Sequence, residues 1–187
     1  MACTRRQLTA FLDDLLEPER FRDYCPNGLQ VEGRDHINHL VTGVTASQAL
    51  IEAAIERGAD AILVHHGYFW RSEDPCIVGI KAKRIRSLIA HDVSLLAYHL
   101  PLDWHVELGN NAMLARLMGI ADGQPLDPLD TNTPVFVGHL TTPMTLPQLA
   151  DVLHERLGRA PMVIGERTVS SVAWCTGAGQ GYIDAAA

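Results

Sequence analysis

Apolar residues recur along this chain with two periods, and the alternation between them predicts an α/β protein. Apolar positions at helical spacing predict helices over residues 5–17, 48–57, 80–90, 110–118 and 146–157. Short apolar runs predict strands at 29–31, 39–45, 61–66, 93–99 and 135–140, with further strands at 161–165 and 169–176. Strands that alternate with helices indicate βαβ units with right-handed crossovers. We therefore expect a layered αβα fold with a largely parallel or mixed sheet.

Capping residues indicate where several of these helices begin. A Ser, Thr or Asn before a helix accepts a hydrogen bond from a free backbone N–H group, and a Gln three residues later can return the bond. The predicted caps are Thr4 with Gln7, Ser47, Asn110 or Asn111, and Thr145 with Gln148.

A change of composition at 121–134 predicts a domain boundary. This segment contains Asp-Gly, three prolines and Thr-Asn-Thr, which are typical of turns and linkers. We predict an α/β domain over 1–123 and a smaller α/β lobe over 124–187, whose end starts the return to the first domain. A strand, a glycine turn and a short helix are an unusual end for such a fold, so we expect C-terminal structure of the first domain to be missing, by truncation or natural shortening.

Composition restricts the class of protein and its partners. The 187 residues are 47% hydrophobic and 20% charged, as in globular proteins, and carry a net charge of -7. The negative charge argues against nucleic-acid binding. No stretch reaches the roughly 18 apolar residues of a membrane span, and the first residues lack the apolar segment expected of a signal peptide. The four cysteines form no Cys-x-x-Cys pair, which favours reduced thiols and a cytoplasmic protein without membrane partners.

Two adjacent histidines follow a buried strand, and they are the first candidate metal ligands. The apolar run 61–64 leads directly into His65 and His66, before Gly67. Neighbouring side chains on a strand point to opposite faces, but a bend at Gly67 would let both rings reach one cleft and touch different metal ions. This pattern favours a dinuclear site. The alternative is a hydrogen-bonded pair that caps a strand end.

The next strand also ends in potential ligands, His99 and Asp103. Pro101 between them turns the chain outward, toward the edge of the sheet where ligands bind in α/β proteins. Histidine nitrogen and carboxylate oxygen suit zinc, iron and manganese. Taken alone, His99 could instead be a buried residue that supports a ligand, and Asp103 a helix cap or turn residue. We interpret His105 as a loop residue.

Two further segments have open interpretations. The turn-rich segment 23–33 is either a surface connection or a loop folded over a neighbouring site. The aromatic residues Tyr68–Trp70 either stack on a planar ligand or belong to a core or interface.

Several segments together resemble one known family. They are Pro26–Gly33, Thr42–Ser47, Val64–Trp70, His99–Asp103 and Ala173–Gly177. Along essentially the whole chain they look like the GTP cyclohydrolase 1 type 2 homolog family, with its bacterial short form closest. The resemblance implies a two-lobed α/β protomer in a toroidal homo-hexamer, with a dinuclear metal centre facing an internal cavity.

The resemblance also implies a set of metal ligands. His65, His66 and Asp103 match family ligands, and His99 is adjacent to the centre. The remaining ligands belong to a C-terminal His-x-x-x-Glu motif, and this sequence stops before it. Because that Glu bridges the two ions, we expect a partial site here, with one metal or loosely held divalent ions of zinc, iron or manganese.

The expected function follows from this site. We predict a metal-dependent hydrolase in which metal-bound water attacks a small-molecule or nucleotide substrate. The family label, assigned by homology, implies GTP ring opening, and no catalytic residue is assigned. The alternative is a non-catalytic metal-binding hexameric scaffold or regulatory protein, with Tyr68–Trp70 and the 121–187 lobe as its partner surface.

Overall fold

The computed structural model describes residues 2–131 and 133–187 and has a mixed α/β fold. Its contacts divide the chain into two compact units, of which the first ends at Leu102 and the second begins at Asp103. The elements up to this division are β1 (Cys3–Thr4), α1 (Arg5–Leu16), β2 (Gly28–Val31), β3 (His36–Ile37), β4 (Leu40–Thr45), α2 (Gln48–Glu56), β5 (Ala61–His66), α3 (Gly79–Ala90) and β6 (Ser94–Ala97). Helix α4 (Leu100–Trp104) crosses the division, and α5 (Asn110–Met118), β7 (Gln124–Pro125), β8 (Phe136–Thr145), α6 (Leu146–Leu157), β9 (Thr168–Trp174) and α7 (Ile183–Ala186) follow.

The main sheet of the first unit has the strand order β2-β6-β5-β4. Strands β4, β5 and β6 run parallel, and β2 joins the edge antiparallel to β6. The predicted mixed or largely parallel sheet is therefore confirmed. Because parallel neighbours place their carboxyl ends at one edge, the segments that follow β4, β5 and β6 begin at the same side of the sheet.

Helices cover both faces of this sheet, which confirms the layered arrangement. Alternate residues of β5 belong to different hydrophobic clusters, since successive side chains of a strand point to opposite faces. Ile62 packs in the cluster that holds Ile51 of α2 and Leu88 of α3. Its neighbour Ala61 packs in the cluster that holds Leu12 of α1. The centre of the sheet is therefore buried on both sides.

The capping predictions are mostly confirmed. Thr4 and Thr145 each form a complete capping box, with Gln7 and Gln148 respectively, and Ser47 accepts from the N–H of Leu50. The predicted asparagine cap of α5 is wrong. The helix is preceded by Gly109, and the side chain of Asn111 is fully buried and hydrogen-bonded to other segments of the second unit.

The second unit is built on the antiparallel sheet β7-β8-β9. Phe136 and Leu140 of β8 pack with Trp174 of β9 and with Met118 of α5. This packing places α5 in the second unit, so the division falls at residue 102 and not near the predicted boundary at 123. The predicted strand at 161–165 is wrong, because no ladder forms there, whereas the last predicted strand corresponds to β9.

None of the helices in the described part of the chain combines the length and apolarity needed to span a bilayer.

Candidate metal centre

Three histidines of the first unit converge at the carboxyl ends of its parallel strands. His65 and His66 are the last two residues of β5, and His99 follows β6 by two residues. One ligand atom from each of the three lies within 4.8 Å of the others. The ring centroids of His65 and His66 are 4.3 Å apart, and His99 lies 4.9 Å from the first and 5.7 Å from the second. The predicted convergence of His65, His66 and His99 is therefore present in the structure.

The Nδ1 atoms of the three rings all have oxygen partners. These are the Tyr98 carbonyl for His65 at 3.2 Å, the Thr45 hydroxyl for His66 at 3.2 Å, and the Asp23 carboxylate for His99 at 2.7 Å. A carbonyl or an ionised carboxylate can only accept, so Nδ1 of His65 and of His99 carries the proton and Nε2 keeps the lone pair. Metal-binding histidines typically have this arrangement.

The carboxylate of Asp23 organises the segment around His99. Asp23 is 7% exposed and accepts hydrogen bonds from the His99 ring, the N–H groups of Leu100 and Tyr24, and the Asn27 amide. Burial alone would raise the pKa of this carboxyl, but the hydrogen bonds from His99, Asn27 and Leu100 outweigh it and lower the pKa. Asp23 therefore remains ionised near neutral pH.

Sequence reasoning missed Asp23, although it begins the turn-rich segment 23–33. Of the two interpretations of that segment, the hydrogen bonds to His99 support a loop folded over the site. The sequence does show a carboxylate, Asp23, and an amide, Asn27, in one turn-rich segment. Nothing in the sequence indicated which residue these side chains would contact.

A second group of potential ligands, Asp23, Cys25 and His99, shares part of this region. Burial, followed by the charge of Asp23, raises the pKa of the Cys25 thiol to about 12. Metal binding requires the thiolate. Because burial disfavours the Cys25 thiolate and Asp23 already accepts four hydrogen bonds, the three-histidine cluster is the better candidate.

The predicted ligand Asp103 belongs to the second unit and is buried there. Its Oδ1 accepts hydrogen bonds from the Asn110 amide at 2.8 Å and the Thr176 hydroxyl at 3.1 Å. Its role as a ligand stays a prediction. His105 lies in the loop after α4, where its Nδ1 accepts from the N–H groups of Glu107 and Leu108.

The chain turns sharply after the histidine pair. A Cβ atom on Gly67 would overlap Oε1 of Gln30 and lie 2.7 Å from Cβ of Ala97, so only glycine fits. Phe69 adopts a left-handed φ of 64°. Tyr68 is buried, with its hydroxyl bound to the Ala46 carbonyl at 2.7 Å. The interpretation of Tyr68 as part of a partner surface is therefore wrong.

The donor atoms of the cluster fit a divalent ion. Three imidazole nitrogens, partly exposed and oriented by hydrogen bonds, form the kind of set that holds zinc, iron or manganese in proteins. A three-residue set leaves coordination positions open, as in catalytic sites rather than in closed structural ones.

Comparison with known proteins identifies the family of the chain. The family model described as Duf34/NIF3 (NGG1p interacting factor 3) matches residues 3–187. The GTP cyclohydrolase 1 type 2 homolog of Pseudomonas aeruginosa is 49% identical over 187 residues, which are 100% of this chain and 74% of the relative. The homolog of Escherichia coli is 48% identical over 184 residues, which are 97% of this chain and 72% of the relative.

Solved structures agree with this assignment. The protein ybgI, described as of unknown function, superimposes with a TM-score of 0.90 at 47% identity, over 98% of this chain and 73% of its own. TTHA1606 from Thermus thermophilus gives a TM-score of 0.87 at 35% identity, over 97% of this chain and 74% of its own. This chain therefore belongs to the Duf34/NIF3 family, whose curated relatives are named GTP cyclohydrolase 1 type 2 homologs.

Proposed function

We propose that this chain binds a divalent metal ion through His65, His66 and His99 and acts as a metal-dependent hydrolase on a small molecule. The observation that carries the proposal is the convergence of three imidazoles, with one ligand atom of each within 4.8 Å of the others and each Nδ1 bound to an oxygen. This arrangement leaves the Nε2 lone pairs of His65 and His99 available to bind an ion.

The bound ion is zinc, iron or manganese, which suit imidazole ligands. When bound, it supplies Lewis acidity that polarises a substrate oxygen and lowers the pKa of water. We propose one ion per chain, because three neutral imidazoles add no negative charge that would offset the repulsion between two divalent ions.

The proposed substrate is a small molecule with a planar ring, such as a nucleotide. The name of the curated relatives points to GTP. The indole of Trp70 lies 4.9 Å from the His99 ring and 6.0 Å from the His66 ring, measured between centroids, so an aromatic side chain borders the cluster. Such a ring can stack on a planar base.

Metal binding and turnover test this function together. Metal-free protein is titrated with zinc, manganese and iron, and GTP and a panel of phosphoesters are assayed with each ion. His65→Ala is expected to lower metal affinity by about 100-fold or more and to abolish turnover, because loss of a ligand exceeds the roughly 10- to 100-fold effect of losing a supporting bond.

The matched control is His91→Ala, which removes an exposed histidine at the end of α3 whose Nδ1 contacts the helix backbone at Ser87. It is expected to bind metal like the wild type. Equal metal affinity in the wild type and His65→Ala would contradict the proposal.

A second candidate function, a metal-binding scaffold or regulatory protein, is favoured by an apolar surface. Ile77, Val78, Ile80 and Ile89, on and before α3, are all exposed. Such side chains at one helix are typical of a surface that meets another protein. We propose a homo-oligomer, with the hexameric ring that the family resemblance implies. Sedimentation analysis tests the assembly, and metal binding without turnover on any panel substrate would favour the scaffold.

A further inference from the structure

The turn-rich segment 23–33, which includes strand β2, contacts both strand ends that carry the histidines. On one side, the Gln30 amide accepts from the Tyr68 N–H at 2.7 Å and donates to the Tyr68 carbonyl at 3.2 Å, just beyond the β5 histidines. On the other side, Asp23 and Asn27 bind the segment of His99. One segment thus connects the two strand ends whose relative position determines the histidine cluster.

Three hydrogen bonds hold His99 and the residue after it. Asn27 Oδ1 accepts from the His99 backbone N–H at 2.7 Å, and Asp23 Oδ2 accepts from the Leu100 N–H at 2.9 Å. Asp23 Oδ1 accepts from the ring Nδ1 of His99 at 2.7 Å. The backbone bonds fix where the ring is attached, and the ring bond fixes its rotation and its tautomer.

We propose that Asp23 and Asn27 are positioning residues for the metal site, which hold His99 as the Nδ1–H tautomer so that Nε2 binds the ion beside His65 and His66. This inference rests on the proposed metal site and adds two residues that its ligand set does not contain. A carboxylate that accepts from a ligand histidine fixes the ring and raises the basicity of its other nitrogen.

The chemistry of Asp23→Asn makes the inference testable. In the variant, a carbonyl oxygen at the Oδ2 position keeps both of its donors, the Asn27 amide and the Leu100 N–H, and only the Tyr24 N–H at the Oδ1 position loses its acceptor. The new NH₂ group would then face His99 and donate to Nδ1, which forces the proton onto Nε2. Exchange of an orienting carboxylate for an amide is known to install the wrong histidine tautomer without disturbing the surrounding geometry.

The first measurement is the tautomer of His99 in the metal-free protein, from the ¹⁵N chemical shifts of the imidazole ring. The wild type is expected to show protonated Nδ1 and unprotonated Nε2. Asp23→Asn is expected to reverse this pattern. A purely structural role for Asp23 would leave the tautomer unchanged, and an unchanged tautomer would overturn the proposal.

The second measurement is zinc affinity by competition with a chromophoric chelator. Asp23→Asn is expected to bind zinc about 10- to 100-fold more weakly, the usual cost of losing a bond that orients a ligand. Asn27→Ala removes the acceptor of the His99 N–H but keeps the carboxylate, so a smaller loss is expected with the tautomer retained. If Asp23→Asn does not fold, the zinc affinity of Asn27→Ala still tests the proposal.

Asp60→Asn is the matched control. Asp60 is a second buried carboxylate of the first unit, it accepts backbone N–H groups in the same way, and it lies at the opposite end of β5. Its variant is expected to bind zinc within about twofold of the wild type, since effects at separate sites combine nearly independently.

The outcomes separate this inference from the proposed function. If the wild type binds no zinc, the metal site is refuted, while a tautomer that reverses in Asp23→Asn would still support the positioning of His99. If the wild type binds zinc and Asp23→Asn and Asn27→Ala bind it equally well, the metal site stands and the positioning role is wrong.

Discussion

A buried carboxylate that accepts several hydrogen bonds lies near each end of strand β5, but the two carboxylates have different side-chain partners. At the amino end, the buried carboxylate of Asp60 accepts hydrogen bonds from two backbone N–H groups and from the guanidinium of Arg34. At the carboxyl end, the buried carboxylate of Asp23 accepts from two backbone N–H groups, an amide and the imidazole of His99. Both carboxylates are less than 10% exposed, and both have a lowered pKa.

The side-chain partner distinguishes the two ends. A guanidinium has only donors, so Arg34 completes the network of Asp60 and offers nothing further. A neutral imidazole that donates through Nδ1 still has a lone pair on Nε2, so the bond from His99 to Asp23 orients an atom that is able to bind a metal ion. A buried carboxylate with all its hydrogen bonds made is therefore structural when its side-chain partner has only donors. It can serve a functional site when the partner keeps a lone pair on a second nitrogen.

The largest expected effect is the removal of the structural carboxylate. Asp60→Ala leaves two backbone N–H groups and Arg34 without their acceptor. The guanidinium side chain is 43% exposed and recovers part of its solvation, so we expect a loss of about 2–4 kcal/mol in the free energy of unfolding. Urea denaturation measures it.

Zinc affinity of the folded Asp60→Ala variant provides the control for this prediction. Asp60 precedes His65 by five residues along an extended strand, which places the two Cα atoms roughly 16 Å apart. Affinity is expected to stay within about twofold of the wild type. A large loss of zinc affinity would contradict the proposal that Asp60 is structural and does not support the metal site.

A smaller effect is expected from Gly67→Ala at the carboxyl end. The added methyl group would collide with Gln30 and with Ala97, and the Ala97 Cβ cannot rotate away. We expect a destabilisation of about 1–3 kcal/mol, typical of overpacking. We also expect weaker zinc binding, because Gln30 would lose its bonds to Tyr68.

The matched control for this substitution is Gly177→Ala. A Cβ atom at Gly177 meets nothing within 4 Å, so no collision is expected. Equal zinc affinities and equal stabilities for the two alanine variants would contradict the role of the close contact at Gly67.

Acidification is expected to weaken the amino end by a smaller amount. At Asp60, burial alone raises the pKa, but the N–H groups of Asn38 and His39 and the Arg34 charge outweigh it, so the folded-state pKa is lowered. The unfolded chain therefore binds the proton more readily. The stabilisation is present above the unfolded pKa of about 3.9 and is lost as the pH falls through the folded pKa.

Urea denaturation at pH 7 and at pH 3 measures this contribution. The wild type is expected to lose more stability between the two values than Asp60→Asn does. If both lose the same amount, the Asp60 network does not contribute through its charge.

The smallest effect is expected from Ser47→Ala at the beginning of α2. The Ser47 hydroxyl accepts from the Leu50 N–H at 3.2 Å, and loss of such a cap costs about 0.5–2 kcal/mol. Zinc affinity is expected to remain unchanged, because the substitution touches neither carboxylate network. A loss of affinity in proportion to stability would mean that the site depends on general stability rather than on Asp23.

Local signals in the sequence predicted much of the fold. Apolar periodicity indicated most of the helices and strands, and the capping boxes at Thr4 and Thr145 began their helices as expected. The Asn110 or Asn111 cap failed because Asn111 serves buried contacts with segments far along the chain. The strand at 161–165 failed because an apolar run forms a strand only where a partner is available.

The sequence by itself determined the chemistry of the candidate centre: imidazoles at the ends of two strands, with a turn-rich loop upstream. Only the tertiary structure decided that Asp23, 76 residues before His99, is the partner of its ring. Periodicity and capping are read within a few residues, whereas a hydrogen bond between distant segments depends on how the sheet brings them together. That dependence is why the candidate ligands were visible in the sequence and the partner of the His99 ring was not.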